Sequence, residues 1–520
     1  MEAEFKLQSN MYHKPLGLNL DIWLQTMESS PKGVVVGLMG TSKTLNRAGT
    51  KYLFNSPLTV TKTAKLLSFM QFFSPPNDSQ TVQFRTQFPI GLSIHLQDLS
   101  ATTCTLLSDA LVRFFADVVP SMPRFTHLEL YRAEKLLSAS PGLGDAIAAL
   151  TRVEILKVTQ AGTICAGMLQ AMQSPLAFAY IHLRVEERYM ERQPHYLLRN
   201  AHATLRVLET HWTDPICRRG QVFPHLKRLS QYACTFLFPE DAMRAFPNLR
   251  YLHMDQSSSQ QWQEVEYYHE SHRNETFLDP NVSYWTSLYK YSGSLNVLYM
   301  MALTCHITIL DIQDERQIFT IPALQELLLD TTPSHLILRT SWTGASYYLD
   351  PEYVAVMSQP GFWRWPMKSL ELMIAFRPED KDVDMEEMMN NILQIVGATD
   401  IHAFRLHLDV HRLGEWSPFD RVFEDDPESD SDAENLKEGH NASDDDDPFH
   451  EHEIPPVERA FETWDLDAVV ERILSTRPSL ETAIVTINGH STLYFVDRQS
   501  GPDIVYEEDA AVEDSVAKTP

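Results

Sequence analysis

AMRAFPNLRYLHM, residues 242–254, is the stretch on which the fold turns. Its first part is a short piece of helix-tolerant residues, and Pro247-Asn248 interrupts it. Its second part, LRYLHM, sets apolar residues at Leu249, Leu252 and Met254. The last two are two residues apart, so they share one face of a strand. The same signature, an apolar residue, two variable, an apolar, one variable, an apolar, recurs as FTHLEL from Phe125, VEILKV from Val153, FAYIHL from Phe178, LRVLET from Leu205 and LKRLSQ from Leu226. Beyond Leu249 it continues as LNVLYM from Leu295, LQELLL from Leu324, LELMIA from Leu370, IHAFRL from Ile401 and LETAIV from Leu480, with looser last positions at Thr210, Gln231 and Ala375.

The first five intervals are 28, 25, 27, 21 and 23 residues, and the next five are 46, 29, 46, 31 and 79. The early spacing fits one strand-plus-helix unit per copy, and the long gaps leave room for inserted loops. Such a unit cannot cover its apolar face alone, so units stack into a solenoid. The competing reading is a generic α/β sheet in which the signature marks buried strands.

Ahead of the repeats, residues 16–54 read LGLNLDIWLQTMESSPKGVVVGLMGTSKTLNRAGTKYLF. Leu20, Trp23, Leu24 and Met27 draw one apolar stripe on a short helix that Asn19 can cap and that Pro31 and Gly33 end. An apolar run, residues 34–39, follows. Thr41 or Ser42 then caps a further helix with Leu45, Ala48 and Tyr52 on one face. About 40 residues bury too little surface to be stable alone, so these stripes need a partner.

This arrangement resembles an F-box, with Leu18, Asn19, Asp21 and Ile22 at the family's opening positions and Asn19 where the family has Pro. The later F-box pattern corresponds to Met39, Ser42, Lys43, Leu45, Asn46, Ala48 and Leu53-Phe54. Together with the degenerate repeats, the chain is similar to fungal-type F-box proteins with leucine-rich repeats. The resemblance implies an α/β leucine-rich-repeat-like solenoid preceded by a small helical F-box-like domain. It also implies docking on a Skp-type adaptor and cullin scaffold through Leu18, Leu20, Ile22, Leu38 and Leu45, no active site of the chain's own, and a protein target held by the repeats.

A rival reading rests on the same residues, because VVVGLMGTSKT resembles a strand entering a phosphate loop. Gly37 to Thr44 nearly fits GxxxxGK[ST], but Ser42 stands where the backbone must wrap closely around phosphate. ITILD, residues 307–311, would supply the magnesium-binding Asp.

The 520 residues carry a formal charge of -27, which argues against nucleic acid or an anionic membrane as the main partner. Residues 424–453 alone hold 14 acidic side chains against Lys437, and with almost nothing apolar they read as an unfolded linker or loop. Five cysteines far apart, with no CxxC pair, imply neither a disulfide framework nor a zinc site. No cofactor motif is evident. MEAEFKLQSN is not a signal peptide, so a cytoplasmic or nuclear location is expected. Residues 291–310 are uncharged, but Ser294, Asn296, Thr304, His306 and Thr308 interrupt them, and they read as buried strand and helix rather than a membrane span.

The remaining organisation follows from local pattern. Leu66, Leu67, Met70 and Phe73 suggest a helix before Pro75-Pro76, and residues 92–96 alternate as a strand. The solenoid is expected over 55–423, the acidic segment over 424–453, a last repeat or cap over 454–500, and a loose acidic tail over 501–520. Within the cap, residues 457–476 are amphipathic, and strands follow at 483–487 and 492–496. The insertions carry Trp262, Trp285, Trp342 and Trp363, which are expected to bind the target, since aromatics dominate interface hot spots. The same rings can instead pin long loops to the solenoid. Twenty histidines include no HExxH, and there is no GxSxG elbow.

Overall fold

The structure, a computed structural model, describes residues 20–54, 56–74, 85–97, 99–140, 142–184, 193–213, 221–234, 238–256, 262–278, 285–314, 321–341, 343–410, 413, 456–488 and 498–500. It divides into two units, Met1–Thr235 and Phe236–Pro520.

The first unit opens with three helices, α1 Leu20–Ser29, α2 Lys32–Met39 and α3 Lys43–Leu53. Ser42 caps α3 by accepting the Leu45 N–H at 3.1 Å. Val34 to Met39, the supposed strand of a phosphate loop, lies inside α2, and Lys43 opens α3. The nucleotide-binding reading therefore loses the strand it requires. Phe54 ends α3 and enters an aromatic cluster with Phe69 and Phe73 of the next helix, Thr63–Phe73, at centroid distances of 6.3 and 5.6 Å. That cluster ties the three helices to the helix that follows them.

The sheet of this unit contains β1 Leu58–Val60, β2 Gly91–Ile94, β3 His127–Leu130, β4 Ile155–Ala161, β5 Phe178–Leu183, β6 Val207–His211 and β7 Arg228–Cys234. The strands pair in chain order and all in parallel. The alternation expected from FTHLEL and its repeats is realised as a row of register partners, Leu92, Leu128, Leu156, Ala179, Leu208 and Leu229, each fully buried. One residue pair further along, Thr210 and Gln231 replace the aliphatic residues of the neighbouring strands and stay fully buried. Thr213 satisfies Thr210 by donating to its Oγ1 at 2.7 Å, while the Gln231 side-chain amide makes no hydrogen bond among the described residues.

Helices cross between the strands, and carboxylates lock one repeat to the next. Glu134, in the helix Ala133–Ser138, accepts the backbone N–H groups of Gly162, Ile164 and Cys165 at 2.9, 3.0 and 3.0 Å. Those donors open the helix Thr163–Ala171, whose Gly162 N-cap has no side chain of its own to bond them. Glu134→Ala is expected to cost about 1–2 kcal/mol, the upper range for a lost N-cap, because several donors are stranded at once. Urea unfolding followed by circular dichroism measures this, with Glu134→Gln as the variant that keeps an acceptor.

The second unit repeats the arrangement with β8 Tyr251–Gln256, β9 Ser287–Ser294, β10 His306–Gln313, β11 His335–Thr340, β12 Ser369–Ala375, β13 Ala403–Asp409 and β14 Thr482–Asn488, again parallel in chain order. A short antiparallel strand, β15 Arg498–Ser500, follows on β14. Leu252, Tyr291, Leu310, Leu336, Leu370, Phe404 and Ala483 form the buried row here. Asp314 performs the clamp, accepting the N–H groups of Ser341 and Thr343 at 2.6 and 2.8 Å. In each unit the strand order runs from one edge to the other without closing into a barrel.

Two copies of the repeat signature are not strands. LNVLYM is the helix Leu295–Met300, capped by Ser294, and LQELLL lies within the helix Ile321–Thr331. The strands beside them, β9, β10 and β11, are SLYKYSGS, HITILDIQ and HLILRT. Residues 291–310 are strand, helix and strand, as their interrupted polarity suggests, and the amphipathic stretch before β14 is two helices, Pro456–Thr463 and Leu466–Thr476. The acidic segment 424–453, the tail and the expected strand at 492–496 lie outside the described residues.

Candidate functional site

The three N-terminal helices close on a small core of Met27, Val35 and Leu45, against which Trp23, Leu38, Met39, Tyr52 and Leu53 pack. On α1 Ile22 lies about 140° around the helix from Met27, and Leu20, on the Met27 side but two turns earlier at the start of the helix, lies beyond the core; they are 47% and 43% exposed. With Val35 inward, Val34 and Val36 stand out on α2, 47% and 56% exposed. Four large aliphatic side chains thus stand in water on one small helical body, more exposed apolar surface than so small a body needs for its own core.

Of the expected adaptor contacts, Leu20 and Ile22 are thus on the surface, while Leu18 lies outside the described residues. Leu45 is buried in the core and Leu38 packs against it, so these two hold the helices together rather than face a partner. Val34 and Val36, which flank the buried Val35, are exposed instead. The sequence contains the signal for this exchange, because a helical run with Val35 inward must turn Val34 and Val36 away, but residues 34–39 read as an undivided apolar run.

The tryptophans expected to meet a target behave differently. Trp285 is buried and donates its indole N–H to the Phe246 carbonyl at 2.9 Å. Trp363 is buried too, donates to the Met357 carbonyl at 2.8 Å, and meets the ring of Trp365 with centroids 5.8 Å apart. Both rings pin their segments to the ends of helices, Pro239–Ala245 and Pro351–Met357, where burying the apolar body and satisfying the N–H stabilise the fold. The Trp262 side chain and Trp342 lie outside what the structure describes, although Trp262 opens the helix Trp262–Leu278.

Each sheet has a second face, formed by the residues that alternate with the buried rows. In the first unit it presents Tyr180, His182, Glu209, His211 and Tyr232, all half-buried. His182, His211 and Tyr232 are register partners on β5, β6 and β7. The rings of His211 and Tyr232 stack with centroids 4.5 Å apart, and His182 lies 5.1 Å from His211. At the other end Glu129 accepts the Ser93 hydroxyl at 2.9 Å and lies 3.3 Å from His95 Nε2. Desolvation raises the Glu209 carboxyl above its ordinary range, against the opposing pull of Arg228 and Lys157. Burial likewise raises the Tyr180 phenol and lowers the His127 imidazole. Rings, imidazoles and both signs of charge on a rigid, continuous surface suit non-covalent recognition of a polypeptide.

The corresponding face of the second unit carries alternating charges on five adjacent strands, Lys290, Asp311, Arg339, Glu371 and Arg405. Arg339 clasps Asp311 with two bonds, Nε to Oδ1 at 2.5 Å and Nη2 to Oδ2 at 3.0 Å, and Lys290 Nζ is 3.7 Å from Oδ2. Desolvation pulls the Arg339 guanidinium down, but the bond and charge of Asp311 and the charge of Glu371 outweigh it and hold the group above its ordinary value. Asp311, the would-be magnesium ligand, is therefore engaged by cations of the protein itself.

Among the described residues there is no group of three or more His, Cys, Asp or Glu side chains placed to hold a metal ion, and no helix is long and apolar enough to cross a membrane. No protein-family model and no curated protein matches this chain.

Proposed function

We propose that the chain is a non-catalytic, substrate-recruiting subunit of a cullin-RING ubiquitin ligase. Residues 16–54 dock as a degenerate F-box on the Skp-type adaptor, which joins them to the cullin scaffold, and the leucine-rich-repeat-like stack behind them holds a protein target. The observation that carries this reading is the small helical body whose separate core leaves Leu20, Ile22, Val34 and Val36 in water ahead of the strand-and-helix units. Because Trp285 and Trp363 are occupied in holding loops, the target surface is assigned to the ring-rich face of β3 to β7.

Co-purification with the adaptor tests the docking. Leu20→Asp with Ile22→Asp abolishes it, because two charges then face an apolar interface, while the melting temperature stays nearly unchanged since both side chains are exposed. Wild-type protein that fails to bind the adaptor at micromolar concentration would end the ligase reading and leave a repeat scaffold that binds proteins without ligase docking.

A further inference from the structure

The helical body has a second feature, on residues the apolar docking surface does not need. Lys43, Arg47 and Lys51 recur every four residues along α3, which sets them on one stripe about 6 Å apart. With Leu24 of α1, Ala48 and Phe88 they line a wide, open groove. Residues 16–54 hold four basic side chains, Lys32, Lys43, Arg47 and Lys51, against Asp21 and Glu28, a balance of +2 in a chain of -27.

We propose that this groove binds an acidic peptide segment of a partner protein, with carboxylates about 12 Å apart, two helical turns, on Lys43 and Lys51 and an apolar side chain between them. Two observations select that occupant. Lys43 and Lys51, eight residues apart on α3, lie about 12 Å apart, the spacing of carboxylates two turns apart on a helical segment. The wall formed by Leu24, Ala48 and Phe88 offers an apolar residue a place that a phosphate backbone would leave empty. The overall negative charge also repels a long polyanion, whereas a short acidic segment feels chiefly the cations within a Debye length. Its lining contains none of Leu20, Ile22, Val34 and Val36, the residues proposed to meet the adaptor.

The test uses the full chain and a fluorescein-labelled twelve-residue peptide of Glu and Ala with one central Leu, followed by fluorescence anisotropy at low and high salt. Saturable binding that weakens with salt is expected. Lys43→Glu with Lys51→Glu should weaken it about tenfold, through two lost pairs and added repulsion. Replacing the central Leu of the peptide by Ala should weaken it several-fold, the worth of a few buried methyl groups. Both cations are exposed, so the variant keeps its fold, which circular dichroism verifies. The uncharged Leu20→Asn, Ile22→Asn protein, which loses the exposed aliphatic side chains without changing the charge, should bind the peptide as wild type does, so that a failure of adaptor docking and a failure of this site are told apart. No saturable binding, equal binding by the charge-reversed protein, indifference to the central Leu, or equal competition by a twelve-nucleotide single-stranded DNA would each overturn the proposal.

Discussion

Asp311→Ala is expected to lower the stability of the second unit by about 3 kcal/mol, the low end of the range for breaking a buried ion pair. The Asp311 side chain is only 4% exposed, and in the wild type it meets two cations and the Ser292 hydroxyl, the last at 3.4 Å. Its removal leaves the Arg339 guanidinium without its bidentate partner in a largely desolvated place. Because that guanidinium is still 32% exposed, water takes up part of the loss, and the upper end of the range is not reached. Urea denaturation followed by tryptophan fluorescence reads the effect, since seven of the nine tryptophans lie in residues 236–520. The double variant Asp311→Ala, Arg339→Ala should lose less than the sum of its single variants, because neither buried charge is then stranded. Additive losses would mean that the clasp contributes nothing specific.

Gly293→Ala is expected to cost more than about 3 kcal/mol, beyond the usual range for an overpacked core. Gly293 lies on β9 at φ +138°, where an L side chain is strained, and it is the register partner of Met254 on β8. A Cβ built there comes within 1.9 Å of the Met254 carbonyl oxygen and 2.8 Å of its carbon. Those atoms belong to a paired strand and cannot rotate away as a side chain would, so the two strands must part. Gly361→Ala makes the same chemical change where nothing lies within 4 Å, and it should stay within about 0.5 kcal/mol of wild type. Equal melting temperatures for the two variants would show that β8 and β9 are not held in this register.

Strand positions were legible in the sequence wherever apolar and polar residues alternate. FAYIHL becomes β5 with every second side chain buried, and LRYLHM, LELMIA and IHAFRL likewise lie on strands. LNVLYM and LQELLL fit the same signature and are helices, for a definite reason. Leu324, Leu327 and Leu328 are spaced three and four apart, which is also a helical stripe, and in LNVLYM every residue except Asn296 is buried, so periodicity there carries no information. The strand they displaced, SLYKYSGS, has too little aliphatic character to be marked by composition. At the N-terminus the helical stripe of Leu20, Trp23, Leu24 and Met27 was readable, but which leucines face a partner was not. Leu45 and Leu20 are equally apolar, and only the closing of α3 onto Met27 and Val35 puts one inside and leaves the other in water.

The amino-acid sequence by itself determined the α/β class, the helix-led N-terminus, the repeat of strand-and-helix units and the charge imbalance, because each depends on local period or composition. The tertiary structure alone decided the rest. It turned Trp285 and Trp363 inward, engaged Asp311 with Lys290 and Arg339, gathered His182, His211 and Tyr232 on one face, and aligned Lys43, Arg47 and Lys51 with Leu24 and Phe88. These outcomes depend on which side chains the parallel register and the helix packing bring within a few ångströms of one another, and that proximity joins residues far apart in the chain, where no local pattern records it.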